Sequence, residues 1–196
     1  MELVPLVFST GWASGVNAYI TVLLLGLFGR YTELEAFPIP DGLTRGDVLV
    51  VAALLGAVEF VADKIPFVDT GWDLVSTAIR PSVGAVIALL IAGDASSLDQ
   101  ALYMTLGGGT ALASHAVKSG LRLAINASPE PFTNIGASVA EDSAVATVVT
   151  LAVYHPWWAF GLALTLLMLG LIVLFFLLRS VRRGLRRWRA PRRAPT

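Results

Sequence analysis

The sequence predicts an all-α, polytopic membrane helical bundle, and three observations carry that prediction. Of 196 residues, 56% are hydrophobic; only 14% are charged, and the mean hydropathy is +0.73. A soluble domain carries about 25% charged residues, and several runs here approach the roughly 20 apolar residues that cross about 30 Å of hydrocarbon. The chain has no Cys, which excludes disulfides, thiolate metal sites and cysteine nucleophiles.

Apolar periodicity and breakers predict six membrane segments, at about 4–29, 47–64, 79–93, 100–126, 137–154 and 157–179. The opening "MELVPLVFSTGWAS" lacks the Lys/Arg n-region of a secretory signal and reads as the first span. "FPIPDG" (37–42) separates it from the second. "IPFVDTGWD" (65–73) and "SPEPFTNIG" (128–136) are two Pro-broken polar loops, before the third and fifth segments. The third is short for a full span, which suggests a tilted or re-entrant helix. "GDASSLD" (93–99) leads into the fourth, and "YHPWW" (154–158) reads as an interfacial aromatic belt before the sixth. The bundle is expected over residues 1–180 and an Arg-rich cytoplasmic tail over 181–196.

Eight of the fourteen cationic residues lie in the last eighteen positions, leaving residues 1–178 with eight more acidic than basic groups. Positive flanks stay inside, so the C-terminus is expected in the cytoplasm, and an even number of spans would place the N-terminus there too. Near the surface each tail arginine contributes about 1 kcal/mol of attraction to anionic lipid. Trp188 among the arginines favours a membrane interface over nucleic acid.

"ASHAVKSGLRLAIN" (113–126) places polar groups inside an apolar helix. At about 100° per residue, His115, Lys118, Ser119, Arg122 and Asn126 form one stripe. An ionised group near the bilayer centre costs about 2.5–3.5 kcal/mol, so the stripe must face partners or a wet cavity. The nominated partners are Glu59 and Asp63 on the second segment, Arg80 at the start of the third, and Glu141 and Asp142 on the fifth, with Asp69, Asp73 and Lys64 adding to a roughly balanced set. Such charges either fix helix packing or line a site. Arg80 is expected to pair with Glu141 and Asp142, and the surplus positive charge on the Lys118–Arg122 face to bind an anion. In "GWASGVNAY" (11–19), Gly11 and Gly15 make a GxxxG packing step, and Asn17 is either part of that face or an amide lining the site. "GGGTALAS" (107–114) carries the same packing reading, or loosens its helix.

The chain also repeats itself. "PFVDTGW…AIRPSVGA" (66–85) lies over "PFTNIGA…VAEDSAVA" (131–146) with a gap of about four residues, matching Asp69 with Asn134 and Arg80 with Glu141. Duplicated helices interrupted by Pro and polar loops are found in transporters around a central site. No HExxH, GxSxG or GxxxxGK[ST] occurs, and two His with scattered carboxylates establish no metal site. No cofactor is expected.

Together "GWASGVNAY", "EFVADKIPFVDTGWD", "IRPSVGA", "NASPEPFTN" and "AEDSAVA" resemble the bacterial membrane proteins catalogued as domain of unknown function 4126, over about residues 8–150. The resemblance implies a small multi-span inner-membrane protein and supplies no activity, so no functional residue comes from it. Three functions remain in competition. A small-solute or ion transporter or channel would use Asn17, Glu59, Asp63, Arg80, His115, Lys118, Arg122, Asn126, Glu141 and Asp142, and His115 would titrate near neutrality if wet. A scaffold would recruit partners by its charged loops and tail. An enzyme would hold a lipid phosphate on Arg80, Lys118 and Arg122, with Glu141 as general base. Membrane lipids are expected partners; a small anionic solute and a second copy of the chain are further candidates.

Overall fold

The computed structural model describes residues 3–32, 39–127 and 131–189, apart from the side chains of 131 and 184–189. The described residues form eight helices: α1 (Leu3–Val16), α2 (Ala18–Tyr31), α3 (Asp41–Thr44), α4 (Gly46–Ala62), α5 (Val68–Ala92), α6 (Ser97–Asn126), α7 (Pro131–Tyr154) and α8 (Pro156–Arg189). Three of these, α5, α7 and α8, contain stretches long and apolar enough to cross a membrane.

The first expected span is two helices, and they double back. Asn17 leaves the helical region at φ −149° and ψ 100°, and its Oδ1 takes the Ile20 N–H as the N-cap of α2. The neighbours give the directions. Along α1, Gly11 meets Gly107, the Trp12 carbonyl meets Ser114 and the Val16 carbonyl meets Lys118, so α1 runs parallel to α6. Along α2, Asn17 meets Asp142 and Phe28 meets Tyr154, so α2 runs parallel to α7. Helices α6 and α7 are antiparallel, with Lys118 near Glu141 and Arg122 on Asn134. Leu3 and Tyr31 therefore lie at one end of the bundle, and Asn17 is the apex of a hairpin that enters and leaves on the same side. A short polar side chain that can cap a helix competes with continuing one, and that choice turns the chain here.

The third expected segment is longer than its apolar run. Phe67 takes a left-handed conformation (φ 70°), and α5 starts at Val68, running through Gly71 and across Pro81 for 25 residues. It is no short re-entrant piece. Helix α7 likewise starts at Pro131, a favoured first helical position because its missing N–H has no partner to lose. Helix α8 continues past the expected boundary at 180 as far as Arg189; the rest of the tail lies outside the described residues.

Helix α1 is buried along most of its length, packed by α5, α6, α7 and α8. Where α1, α5 and α6 cross, glycine lets their backbones touch. A Cβ at Gly11 would stand 2.6 Å from the Gly107 carbonyl, and one at Gly84 2.8 Å from Ala111 Cβ. A Cβ at Gly15 would overlap Ser114 Oγ and the Ala111 carbonyl. The packing reading of the GxxxG step and of Gly107 holds, and α6 stays helical through all three consecutive glycines.

Candidate functional site

The hairpin apex sits on a buried polar column. At a helix C-terminus the carbonyls carry partial negative charge, and at an N-terminus the amides carry partial positive charge. Lys118 Nζ donates to the Val16 carbonyl at 3.0 Å and Arg80 Nη1 to the Gly15 carbonyl at 3.5 Å, so two cations cover the end of α1. At the start of α2, Asn17 Nδ2 donates to Asp142 Oδ1 at 3.2 Å. Each half-helix end meets the charge that suits it.

From the apex the column runs towards the end of the bundle where α6 finishes. Arg80 Nη2 donates to Glu59 Oε1 at 2.6 Å, and its Nη1 lies 3.0 Å from Asp73 Oδ1. Lys118 Nζ donates to Asp63 Oδ2 at 2.6 Å and lies 3.5 Å from Glu59. Arg122 clasps both oxygens of Glu141 (3.3 and 2.6 Å), and its Nη1 donates to the Asp63 carbonyl and to Asn134 Oδ1. Asn126 closes the column by donating to Asp69 Oδ1 at 2.8 Å and Thr70 Oγ1 at 2.9 Å. From Arg80 to Asp69 is three turns of α5, about 16 Å, or half a bilayer core. On the other side of Arg80 and His115 the column stops at the glycine crossing, where Ser14 donates to the Arg80 carbonyl and Ser114 to that of Trp12.

All ten residues singled out from the sequence converge here. Two details differ from expectation. Arg80 meets Glu59 and Asp73, while Glu141 meets Arg122 and lies 3.6 Å from Lys118, because α5 packs closely on α6 and presents Arg80 to the end of α4. Lys118 and Arg122 are also matched by carboxylates from α4, α5 and α7, so α6 brings no free positive face. Within the column Glu59, Asp63, Asp69, Asp73, Glu141 and Asp142 face three cations, with Lys64 at its mouth donating to Ser138 and lying over the Phe60 ring. The balance is negative.

His115 is buried and fully engaged. Arg80 Nη1 donates to its Nδ1 at 2.8 Å, which leaves the ring proton on Nε2, 3.0 Å from Thr77 Oγ1. The wet surroundings on which titration near neutrality was conditional are absent: the ring is 2% exposed. Several carboxylate oxygens are buried with no hydrogen-bond partner: Glu59 Oε2, Asp63 Oδ1, Asp69 Oδ2, Asp142 Oδ2 and both oxygens of Asp73. Burying such groups costs free energy unless a proton, a cation or a donor joins them.

Thr77 and Asn134 belong to the site without having been nominated for it, and Asp69 and Asp73, named from the sequence only as part of the charge balance, sit within it. With α5 started at 68, Asp69, Asp73 and Arg80 stand at i, i+4 and i+11 on one face, a spacing hidden by reading "DTGWD" as a loop.

Two crevices flank the column. One, of about 230 Å³, lies between α1, α6, α7 and α8, with Lys118 and Glu141 among apolar walls that include Trp12, Val117 and Leu166. The other, of about 330 Å³, lies between α5 and α6 and is lined by Thr70, Asp73, Thr77 and Ser119.

The family described as domain of unknown function 4126 matches residues 4–176. The chain belongs to this family. The match extends past the residues 8–150 expected, from Val4 in the first turn of α1 to Phe176 in the apolar part of α8. No curated protein and no solved structure matches the chain.

Proposed function

We propose that the protein is a small-solute or ion transporter of the bacterial inner membrane, and that the column takes up positive charge. The observation that carries this reading is the meeting of a re-entrant hairpin apex with a buried column in which six carboxylates face three cations. Half-helix ends that converge on ionisable groups near the membrane midplane are how many transporters hold substrate and coupling ions. Because Lys118 and Arg122 already face carboxylates, a cation or proton suits the column better than the anion expected from α6 alone.

In the membrane we place the end of α8, with Arg179, Arg182 and Arg183, in the cytoplasm. The column then opens inwards, beside the 63–67 connection and the end of α6, and the glycine crossing closes its outer side. Helices α4 to α8 cross while α1 and α2 dip in from outside, which puts the N-terminus outside rather than beside the C-terminus. We also read α4–α5 and α6–α7 as two copies with exchanged charge. Glu59 and Asp63 of α4 stand four apart, as do Lys118 and Arg122 of α6, while the aligned Arg80 and Glu141 each pair within their own copy. The aligned Asp69 and Asn134 both approach Arg122.

Counterflow in liposomes containing the purified protein tests the function, with labelled small amines, monovalent cations and neutral solutes offered in turn. Uptake of a cationic or proton-coupled species that is lost in Lys118→Met supports it. No flux of any class, from protein that remains folded, overturns it and leaves a scaffold held by ion pairs.

A further inference from the structure

Asp73 differs from every other carboxylate of the column. Glu59, Asp63, Asp69, Glu141 and Asp142 each accept at least one hydrogen bond. Among the described residues Asp73 alone has both oxygens buried without a donor. The nearest cation atom, Arg80 Nη1, is 3.0 Å away, but its two N–H bonds point to His115 Nδ1 and the Gly15 carbonyl. Asp73 is 3% exposed and borders the crevice between α5 and α6, whose other polar groups are the hydroxyls of Thr70, Thr77 and Ser119. Those hydroxyls can accept a hydrogen bond from a carboxyl O–H, which a bare carboxylate cannot offer.

We propose that Asp73 is the proton-binding carboxyl of this protein, loaded from the crevice between α5 and α6. This rests on the transporter reading and names the positive charge taken up. A proton from water in the crevice bonds to one Asp73 oxygen, hydroxide remains in the solvent, and the column becomes one unit less negative. Arg80 is held by Glu59 at 2.6 Å through Nη2, the nitrogen that does not face Asp73, so this pair holds the fold independently of the Asp73 charge. The groups surrounding Asp73 are Asp69 and Arg80 on its own helix, His115 and Lys118 on α6, Glu59 on α4 and Asp63 just past its end, and Glu141 on α7. Lys118 and Arg122 are taken by the other carboxylates, Arg80 stands 3.0 Å from Asp73 but directs its hydrogen bonds to Glu59, His115 and the Gly15 carbonyl, and His115 already accepts from that guanidinium, so a further proton there would face Arg80 at 2.8 Å. A metal ion suits the place less well: among the described residues no three of His, Asp and Glu converge as metal ligands.

Infrared difference spectra of the purified full-length protein between acid and alkaline pH test this. A C=O band of a protonated carboxyl should vanish as pH rises, shift when aspartate is isotopically labelled, and be absent from Asp73→Asn but kept in Asp99→Asn, a surface control. Asn mimics the protonated carboxyl, so Asp73→Asn should fold. Should it fail to, Ser119→Ala, which removes one crevice hydroxyl and its bond to the His115 carbonyl within α6, should shift the wild-type band. Absence of the band, its survival in Asp73→Asn, indifference to aspartate labelling or to Ser119→Ala, or its loss on adding sodium at fixed pH each overturns the proposal. The transporter reading fails separately. Flux with no carboxyl band removes the proton and keeps transport, whereas the band without flux of any solute keeps the proton and removes transport.

Discussion

Asn17 and Asp142 lie 125 positions apart and meet at 3.2 Å at the apex of the hairpin. The same side chain caps α2 through its Oδ1, 3.0 Å from the Ile20 N–H. Asn17→Ala removes both bonds. The lost cap costs about 1 kcal/mol and the orphaned carboxylate about 1–3 kcal/mol more, so the unfolding midpoint in detergent should fall clearly. A variant as stable as the wild type would show that the apex does not depend on this residue.

Arg80 and Glu59 form the shortest contact between α4 and α5, at 2.6 Å with both side chains buried. Removing one member of a buried pair costs about 3–5 kcal/mol, because the other charge is left alone. Arg80→Met should therefore cost more than Arg80→Met combined with Glu59→Gln, with a coupling of about 0.5–3 kcal/mol. The combination of Arg80→Met with Glu141→Gln should be close to additive. Unfolding of the two cycles in detergent checks this, and coupling to Glu141 in place of Glu59 would contradict the pairing.

The glycines divide sharply. At Gly15 a Cβ would overlap Ser114 and the Ala111 carbonyl, whereas at Gly71 and Gly109 nothing lies within 4 Å. Gly15→Ala should lower stability by at least the roughly 1–3 kcal/mol of core overpacking, while Gly109→Ala should raise it by up to about 1 kcal/mol through helix propensity. Thermal melts of the variants decide it, and similar melting of both would argue against the crossing.

Composition was enough to read the all-helical class, and the stripe from His115 to Asn126 was legible because helical periodicity brings 115, 118, 122 and 126 together within a single element. The pairing of Arg80 was not, since it depends on how α4 and α5 pack, which no local spacing encodes. Asp73 counted towards the charge balance, but the apolar criterion left it on a loop and so hid its place on α5. A membrane helix that carries Asp69, Thr70, Gly71 and Asp73 in its first turns resembles a loop until the partners that satisfy it are known. The hairpin was missed for a related reason: hydropathy is nearly continuous from Leu3 to Phe28, and a single Asn reverses the chain.

The most direct test is the side from which the two arms of the hairpin are reached. The chain has no native Cys, so single cysteines at Val4 and Tyr31, both exposed, can be labelled with a membrane-impermeant thiol reagent in intact cells and in inverted vesicles. Val4→Cys and Tyr31→Cys should react from the same face, opposite to Phe132→Cys at the start of α7, which is 88% exposed. Reaction of Val4→Cys and Tyr31→Cys from opposite faces would mean that residues 3–31 cross the membrane, and would remove the apex from the column.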